Sequence, residues 1–173
     1  EETVYAHTSN KLYSMHLKTM KVVEIGPLKW PVGGPGGSMT DLAIDEWGVL
    51  YAVTFNDLFT CHPVTAQCTH LADLPQSFNG LTLIPKPLLD PDKDVLVGIS
   101  NIGDWVRLDI SGKTAVPTKL GSYGPGYSSS GDAYSIFGVG TFAAVNKTGT
   151  TKDVLVEVDP KTGSVIKEIG EMG

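Results

Sequence analysis

A near-repeat of 46 residues constrains the fold of this chain more than any other feature of its sequence. Residues 4–26 (VYAHTSNKLYSMHLKTMKVVEIG) align without a gap with residues 50–72 (LYAVTFNDLFTCHPVTAQCTHLA). Two further copies follow, and equivalent residues, which we call the repeat anchors, recur at spacings of 46, 46 and 45: Tyr5, Tyr51, Val97 and Phe142. A period of this length in a strand-rich sequence is typical of the blades of a β-propeller.

Each copy divides into short runs that are rich in β-branched and aromatic residues and are separated by turn residues. In the second copy these runs are MTDLAID, VLYAVTF, DLFTCH and QCTHLAD, starting at Met39, Val49, Asp57 and Gln67. Four antiparallel strands per repeat is the blade pattern. The sequence therefore predicts an all-β fold, a β-propeller of four-stranded antiparallel blades with about four blades in this chain.

We expect one propeller domain over residues 1–173, with blades at about 1–30, 38–74, 77–121 and 130–173. The first blade starts at its second strand, so fifteen strands can be counted, one short of four full blades. Two interpretations stay open: a small four-bladed propeller with an incomplete blade, or part of a larger propeller completed by another segment or subunit. Because an unpaired blade edge invites aggregation, we expect closure by terminal-blade contacts or by dimerisation.

Charge and hydropathy exclude some partners. The net charge of -6 argues against nucleic acid, which needs clustered Lys and Arg to contact phosphates. No apolar run of about 18 residues occurs, so we expect no insertion into a membrane. The sequence does not start with a charged and then apolar leader, and we expect any export signal to have been removed.

Two cysteines flank a predicted hairpin turn in the second repeat. Cys61 and Cys68 occupy positions that are apolar in the first copy, Met15 and Val22, which indicates that the pair faces across neighbouring strands. This placement predicts a disulfide and favours an extracellular or periplasmic location. Two reduced core thiols, or a metal site with a nearby histidine, are the alternatives.

A local resemblance agrees with the blade interpretation. DPKTG at residues 159–163 has the residues of a tight hairpin turn, and HPVTA at residues 62–66 is its counterpart. Together with the LYAVT-type strand and an LG ending, this turn resembles bacterial β-propeller repeats of the NHL, YncE-like and quinoprotein-like groups, including exported proteins. The resemblance covers nearly the whole chain and implies a blade, not an activity. The Trp that follows TG in quinoprotein repeats is missing after Gly163.

Small polar residues gather where the predicted inner strands begin, in SMTDLAI, SFNGLTL and SSGDAYSI. These starts meet at the axis of a propeller, so we expect ligand contacts from Thr40, Asp41, Asn79, Ser130 and Asp132. Calcium is a possible cofactor there, held by Asp41 and Asp132. The alternative is that these side chains cap backbone amides.

Two further sets of residues are candidates for binding. Loops 26–38 and 121–131 mix Gly and Pro with aromatic residues, so Trp30, Tyr123 and Tyr127 could form a rim that contacts sugars or peptides. Alternatively, these loops are blade crossovers whose aromatics fill gaps. A second calcium candidate is the acidic turn DPDKD, which lacks the Gly of calcium loops: Asp90, Asp92 and Asp94.

The leading functional hypothesis is an exported, non-enzymatic binding module that recognises a protein or a small ligand through its Gly/Pro/aromatic rim. It would act in a homo-oligomer or a larger multidomain assembly. One alternative is a metal-dependent hydrolase of the lactonase or esterase kind, with Asp41, Asn79 and Asp132 as metal ligands. Another is a lectin-like propeller that binds carbohydrate. No HExxH or GxSxG motif occurs, and no catalytic residue is assigned.

Overall fold

The structure, a computed structural model, describes residues 3–173 and contains fifteen strands and no helix in that range. The predicted all-β propeller fold is confirmed by the strand topology. Blade 1 contains three strands: β1 (Thr3–His7), β2 (Lys11–His16) and β3 (Lys21–Pro27). Blade 2 contains four strands: β4 (Asp41–Ile44), β5 (Leu50–Val53), β6 (Asp57–Cys61) and β7 (Cys68–Asp73). No helix with the length and apolar character needed to cross a membrane occurs in residues 3–173.

The second half of the chain forms two further four-stranded units. Blade 3 contains β8 (Gly80–Ile84), β9 (Val95–Ile99), β10 (Asp104–Ser111) and β11 (Thr114–Ser122). Blade 4 contains β12 (Tyr127–Ile136), β13 (Gly140–Lys147), β14 (Asp153–Val158) and β15 (Val165–Glu171). Within each blade, strands that follow one another along the chain pair in antiparallel fashion. The outer strands of blades 2 and 3 also touch through one parallel pair, Asp73 and Thr114.

Burial falls from the middle strands of a blade to its outer strand because blades pack face to face around their middle strands. All five residues of β9 are buried, β14 alternates between buried and half-buried positions, and β15 is almost entirely exposed. A strand covered on both faces is continuously apolar, whereas a half-covered strand alternates. This gradient explains why VLVGI and DVLVEV differ in pattern although both form strands.

Three apolar clusters hold consecutive blades together. One cluster lies between blades 1 and 2 and includes Leu12 and Phe59, and a second lies between blades 2 and 3 and includes Phe78 and Leu108. The third joins blades 3 and 4 around Trp105. Each blade therefore buries its apolar face only against its neighbour, as repeat architectures require.

The predicted disulfide is confirmed. Cys61 and Cys68 are directly opposed across β6 and β7 and are bonded to each other. The corresponding apolar residues of blade 1, Met15 and Val22, are also directly opposed across their hairpin. The alignment of a cysteine pair with an apolar pair thus indicated the correct register.

The hairpin turn of blade 4 is tied to blade 3 by one aromatic side chain. The indole nitrogen of Trp105 donates a hydrogen bond to the Pro160 carbonyl at 3.3 Å, and the ring lies against Gly163. Gly163 has a φ of +74°, and a Cβ added there would lie 2.6 Å from Trp105 Cγ. Glycine is therefore needed at this position both for the turn and for the packing of the two blades.

Gly163→Ala is expected to destabilise the fold more than Gly149→Ala. Gly149 also has a positive φ, +87°, but an added Cβ there meets nothing within 4 Å. Both substitutions incur a left-handed backbone cost of about 1 kcal/mol, and Gly163→Ala adds an overpacking cost of about 1–3 kcal/mol. Urea unfolding of both variants measures the difference. Equal losses of stability in the two variants would show that the packing of Trp105 does not require a glycine at position 163.

Candidate functional site

One cleft lies at the axis and is lined by strands from all four blades. Its volume is about 600 Å³, which lies in the range of ligand-binding pockets. We call it the axial cleft; its lining is formed by β1, by β4, by the middle of β8 and by the second half of β12. Its walls are largely apolar, with Leu42, Ile44, Leu83, Tyr134 and Ile136 among the lining residues.

Three ionisable side chains meet at one end of the axial cleft. His7 is the last residue of β1, Asp41 is the first residue of β4, and Asp132 lies within β12. One ligating atom from each lies within 4.8 Å of the others. Blades 1, 2 and 4 therefore each contribute one charged or titratable group to this end, which we call the acidic floor.

Asp41 is the buried member of the acidic floor and also joins two blades. Its Oδ1 accepts a hydrogen bond from the Leu42 N–H at 2.7 Å, and its Oδ2 accepts one from the Leu81 N–H of blade 3 at 2.6 Å. Burial raises the pKa of the Asp41 carboxyl to about 6, and the nearby Asp132 charge adds to this effect. His7 and the two backbone amides oppose the shift but do not cancel it. The fold thus holds the Asp41 carboxyl in a buried position that disfavours its charged form.

His7 faces Asp41 with its second ring nitrogen. Nδ1 donates a hydrogen bond to the Thr8 carbonyl at 3.1 Å, and Nε2 lies 3.8 Å from Asp41 Oδ1. Burial favours the neutral ring, but Asp41, the Thr8 carbonyl and Asp132 outweigh it, so the pKa of His7 is raised. The distance of 3.8 Å is an ion-pair distance and not a hydrogen bond.

The other polar candidates tie the starts of neighbouring inner strands together. Thr40 Oγ1 donates to the Phe78 carbonyl at 2.9 Å, and Asn79 Nδ2 donates to the Ser129 carbonyl at 3.4 Å. The Asn79 Oδ1 atom is buried and has no hydrogen-bond partner in residues 3–173. Ser130 is half-buried beside this contact. Thr40 and Asn79 therefore bond to backbone across blade boundaries.

The three aromatic candidates lie apart from the axial cleft. Trp30 packs on Phe59, with ring centroids 4.6 Å apart. Tyr123 is only 2% exposed and packs on Trp105 between blades 3 and 4, and burial raises the pKa of its hydroxyl. Tyr127 lines neither the cleft nor its floor, and its hydroxyl donates to a Glu168 carboxylate. The Tyr123 ring thus fills a gap between blades, as the alternative interpretation of these loops expected.

The acidic turn of blade 3 uses its carboxylates locally. Asp90 accepts the Asp92 N–H at 3.1 Å and pairs with Arg107 at 3.4 Å, while Asp94 accepts the Lys86 N–H at 3.0 Å. Among residues 3–173, two groups of three ligating side chains come within 4.8 Å, and neither includes these aspartates. The second group lies on the outer part of blade 2 and consists of Asp57, His70 and Asp73.

His7 is the site residue that sequence reasoning missed. It lies on a strand without a motif, so it was not among the residues expected at the axis. The repeat alignment contained a usable signal, because His7 aligns with Val53, which is fully buried in blade 2. A titratable residue at a position that is apolar in another copy indicates either a burial cost or a function.

Comparison with known proteins adds solved structures of low similarity. No family model matches the chain, and no curated protein matches it. Kuenenia stuttgartiensis hydrazine synthase aligns over 98% of this chain at 14% identity with a TM-score of 0.49. A Bacteroides thetaiotaomicron structural-genomics protein aligns over 92% at 14% identity with a TM-score of 0.48. The Dos1 propeller aligns over 96% at 13% identity with a TM-score of 0.44.

The chain spans about half or less of each of these solved structures: 46%, 39% and 51% of their lengths. The propeller assignment rests on the strand topology and on the cleft that four blades share. Membership of the NHL, YncE-like or quinoprotein-like groups stays a prediction.

Asp41→Asn is expected to flatten the dependence of stability on pH. The folded pKa of about 6 lies above the ordinary value of 3.8, so the stabilising effect of protonation is complete below about pH 4 and is lost as pH rises through 6. This shift corresponds to roughly 3 kcal/mol, and the raised pKa of His7 acts in the same direction.

Urea unfolding of the wild type and Asp41→Asn from pH 4 to 7 measures this effect. The variant should lose stability at pH 4, because the amide NH2 group cannot accept one of the two backbone hydrogen bonds from Leu42 and Leu81, and should recover relative to the wild type as pH rises. Asp92→Asn, which changes an exposed carboxylate in the blade 3 turn, should keep the wild-type profile. Parallel profiles for the wild type and Asp41→Asn would contradict the assignment.

Proposed function

We propose that this chain is an exported binding module whose axial cleft holds a small or extended ligand. The observation that carries the proposal is the cleft itself, about 600 Å³ in volume, with apolar walls and an acidic floor. Pockets that bind ligands combine an apolar lining with a few polar groups that fix orientation, and this cleft has both. The proposal moves the binding surface from the Gly/Pro/aromatic rim to the axis, because Tyr123 is buried.

The disulfide supports the exported part of the proposal. Cys61 and Cys68 are bonded, and stable disulfides persist mainly in oxidising compartments. An extracellular or periplasmic module of this kind would act by recognition, with a protein, small-molecule or carbohydrate ligand as the partner.

Ile136→Asn is expected to weaken ligand binding at least tenfold, while Ile166→Asn leaves it unchanged. Ile136 lines the axial cleft and is 49% exposed, whereas Ile166 is 63% exposed on β15, outside the cleft. A polar amide in an apolar wall removes favourable burial and introduces an unpaired donor and acceptor. Peptide, glycan and small-molecule arrays probed with the wild type and both variants measure the effect. Equal binding by the two variants, or no binding by the wild type, would contradict the proposal.

A second candidate function, a metal-dependent hydrolase, is favoured by one observation. His7, Asp41 and Asp132 present one imidazole and two carboxylates within 4.8 Å, a donor set that suits zinc. The Nδ1–H of His7 is bound to the Thr8 carbonyl, so Nε2 is the nitrogen left for a metal, a tautomer that metal-binding histidines commonly adopt. In this candidate His7 replaces Asn79 among the ligands expected from sequence.

If the chain is a metal-dependent hydrolase, it should bind one zinc ion, and Asp132→Asn should abolish this binding. Asp132 is exposed, so the variant is expected to remove one ligand with little effect on the fold. Asp73→Asn tests the separate group on blade 2 and should leave this ion in place. Isothermal titration of the metal-free protein with Zn²⁺ and, separately, Ca²⁺ measures both. Zinc binding unaffected by Asp132→Asn would exclude the acidic floor as a metal site.

A further inference from the structure

The inner edge of blade 1 indicates what kind of ligand the axial cleft accepts. In blades 2, 3 and 4, one strand lies inside the strand that carries the repeat anchor: β4 beside β5, β8 beside β9, and β12 beside β13. In blade 1 the anchor strand is β1, which pairs only with β2 within residues 3–173. All five residues of β1 line the axial cleft. The cleft therefore includes the place where a fourth strand of blade 1 would lie.

The backbone of β1 is oriented to accept such a strand. The Thr8 N–H donates to the Lys11 carbonyl at 2.9 Å, so in the alternating antiparallel pattern Ala6 and Val4 bond to β2. Tyr5 and His7 consequently direct their N–H and C=O groups to the other edge, towards the cleft. In blade 2 the equivalent residue, Tyr51, pairs with Ala43 of the inner strand β4.

The register of the complete blades shows which residue of an added strand would meet the acidic floor. Asp41 pairs with Val53, the counterpart of His7, and Gly80 pairs with Ile99 at the same level of blade 3. Asp132 lies at the corresponding level of blade 4, two residues before Tyr134, the partner of Phe142. A residue opposite His7 would therefore complete a ring with Asp41, Gly80 and Asp132.

Charge selects the residue for that position. The Asp132 charge contributes to the raised pKa of Asp41, and in residues 3–173 neither carboxylate forms an ion pair with a lysine or arginine. A cationic side chain opposite His7 would lie beside both carboxylates. Further along, Ile44, Leu83 and Ile136 offer apolar surface to the side chains that follow.

We propose that the axial cleft binds an extended peptide segment of a partner protein, which adds to β1 as the fourth strand of blade 1 and places a lysine or arginine beside Asp41 and Asp132. Strand addition of this kind gains affinity from main-chain hydrogen bonds and specificity from the side-chain pockets. The inference rests on the proposed binding function and names the class of ligand for the same cleft.

The test uses a probe built on the chain's own inner strand. The probe is a blocked eight-residue peptide with the sequence of residues 38–45 and lysine at the position of Asp41; the matched control keeps the aspartate. With EDTA present to remove metals, the lysine peptide should bind at least tenfold more tightly than the control by isothermal titration. Asp132→Asn should reduce this preference several-fold, whereas Asp92→Asn should leave it unchanged.

N-methylated probes distinguish strand addition from non-specific apolar binding. In β4, the Asp45 N–H donates to the Val49 carbonyl, so the alternation makes Ala43 bond to β5 and turns the Leu42 amide away from it. N-methylation of the probe at the position of Ala43 should abolish binding, and N-methylation at the position of Leu42 should be tolerated. Equal effects of the two methyl groups, or equal affinity of the lysine and aspartate peptides, would overturn the inference.

The remaining outcomes separate this inference from the proposed function. If neither peptide binds but an array ligand is lost on Ile136→Asn, the cleft is a binding site and the peptide class is wrong. If neither peptide nor array ligand binds, both proposals fail. Light scattering provides one more test: a stable dimer that must dissociate before the peptide binds would assign the β1 edge to a second copy and overturn the inference.

Discussion

Face-to-face packing of consecutive blades is the interaction on which the rest of the structure depends. A single four-stranded blade has apolar residues on a face that it cannot cover alone, and the three clusters centred on Phe59, Phe78 and Trp105 cover these faces pairwise. Close approach requires small residues, as where Gly98 lies under Phe78 and Gly163 lies under Trp105. The 46-residue period of the sequence reflects this packing, because each repeat forms one blade that packs on the next.

The same packing determines the chemistry of the axis. Because the inner strands converge, the side chains at their starts are brought close to one another whatever their charge, and Asp41 becomes buried beside Asp132. The hydrogen bonds that Asp41 accepts from two backbone N–H groups compensate part of its desolvation. The second of these bonds, from Leu81, connects blade 2 to blade 3. One carboxylate thus serves the fold and, with His7, gives the cleft a charged end. Asp41 therefore both binds backbone amides and lines the axial cleft.

Much of the fold could be predicted because its signals are local. Alternating apolar residues, turn residues and the spacing of the anchors predicted the strands and blades, and the apolar pair Met15 and Val22 predicted how Cys61 and Cys68 face each other. Asp41 and Asp132 could be placed at the axis because the position of the inner strands follows from the fold class.

The rest of the site depends on contacts between blades. His7 reaches Asp41 because β1, which within residues 3–173 has no strand inside it, lies directly on the axial cleft, and no pattern within the repeat specifies that geometry. Tyr123 was expected on a rim, but its ring turns inward against Trp105; a loop rich in Gly and Pro indicates an aromatic residue near a crossover without indicating its direction. The most direct test of the account is amide hydrogen exchange of the free protein by NMR. An open β1 edge predicts a fast-exchanging Tyr5 amide beside protected Ala6 and Tyr51 amides, and a Tyr5 amide as protected as that of Tyr51 would contradict it.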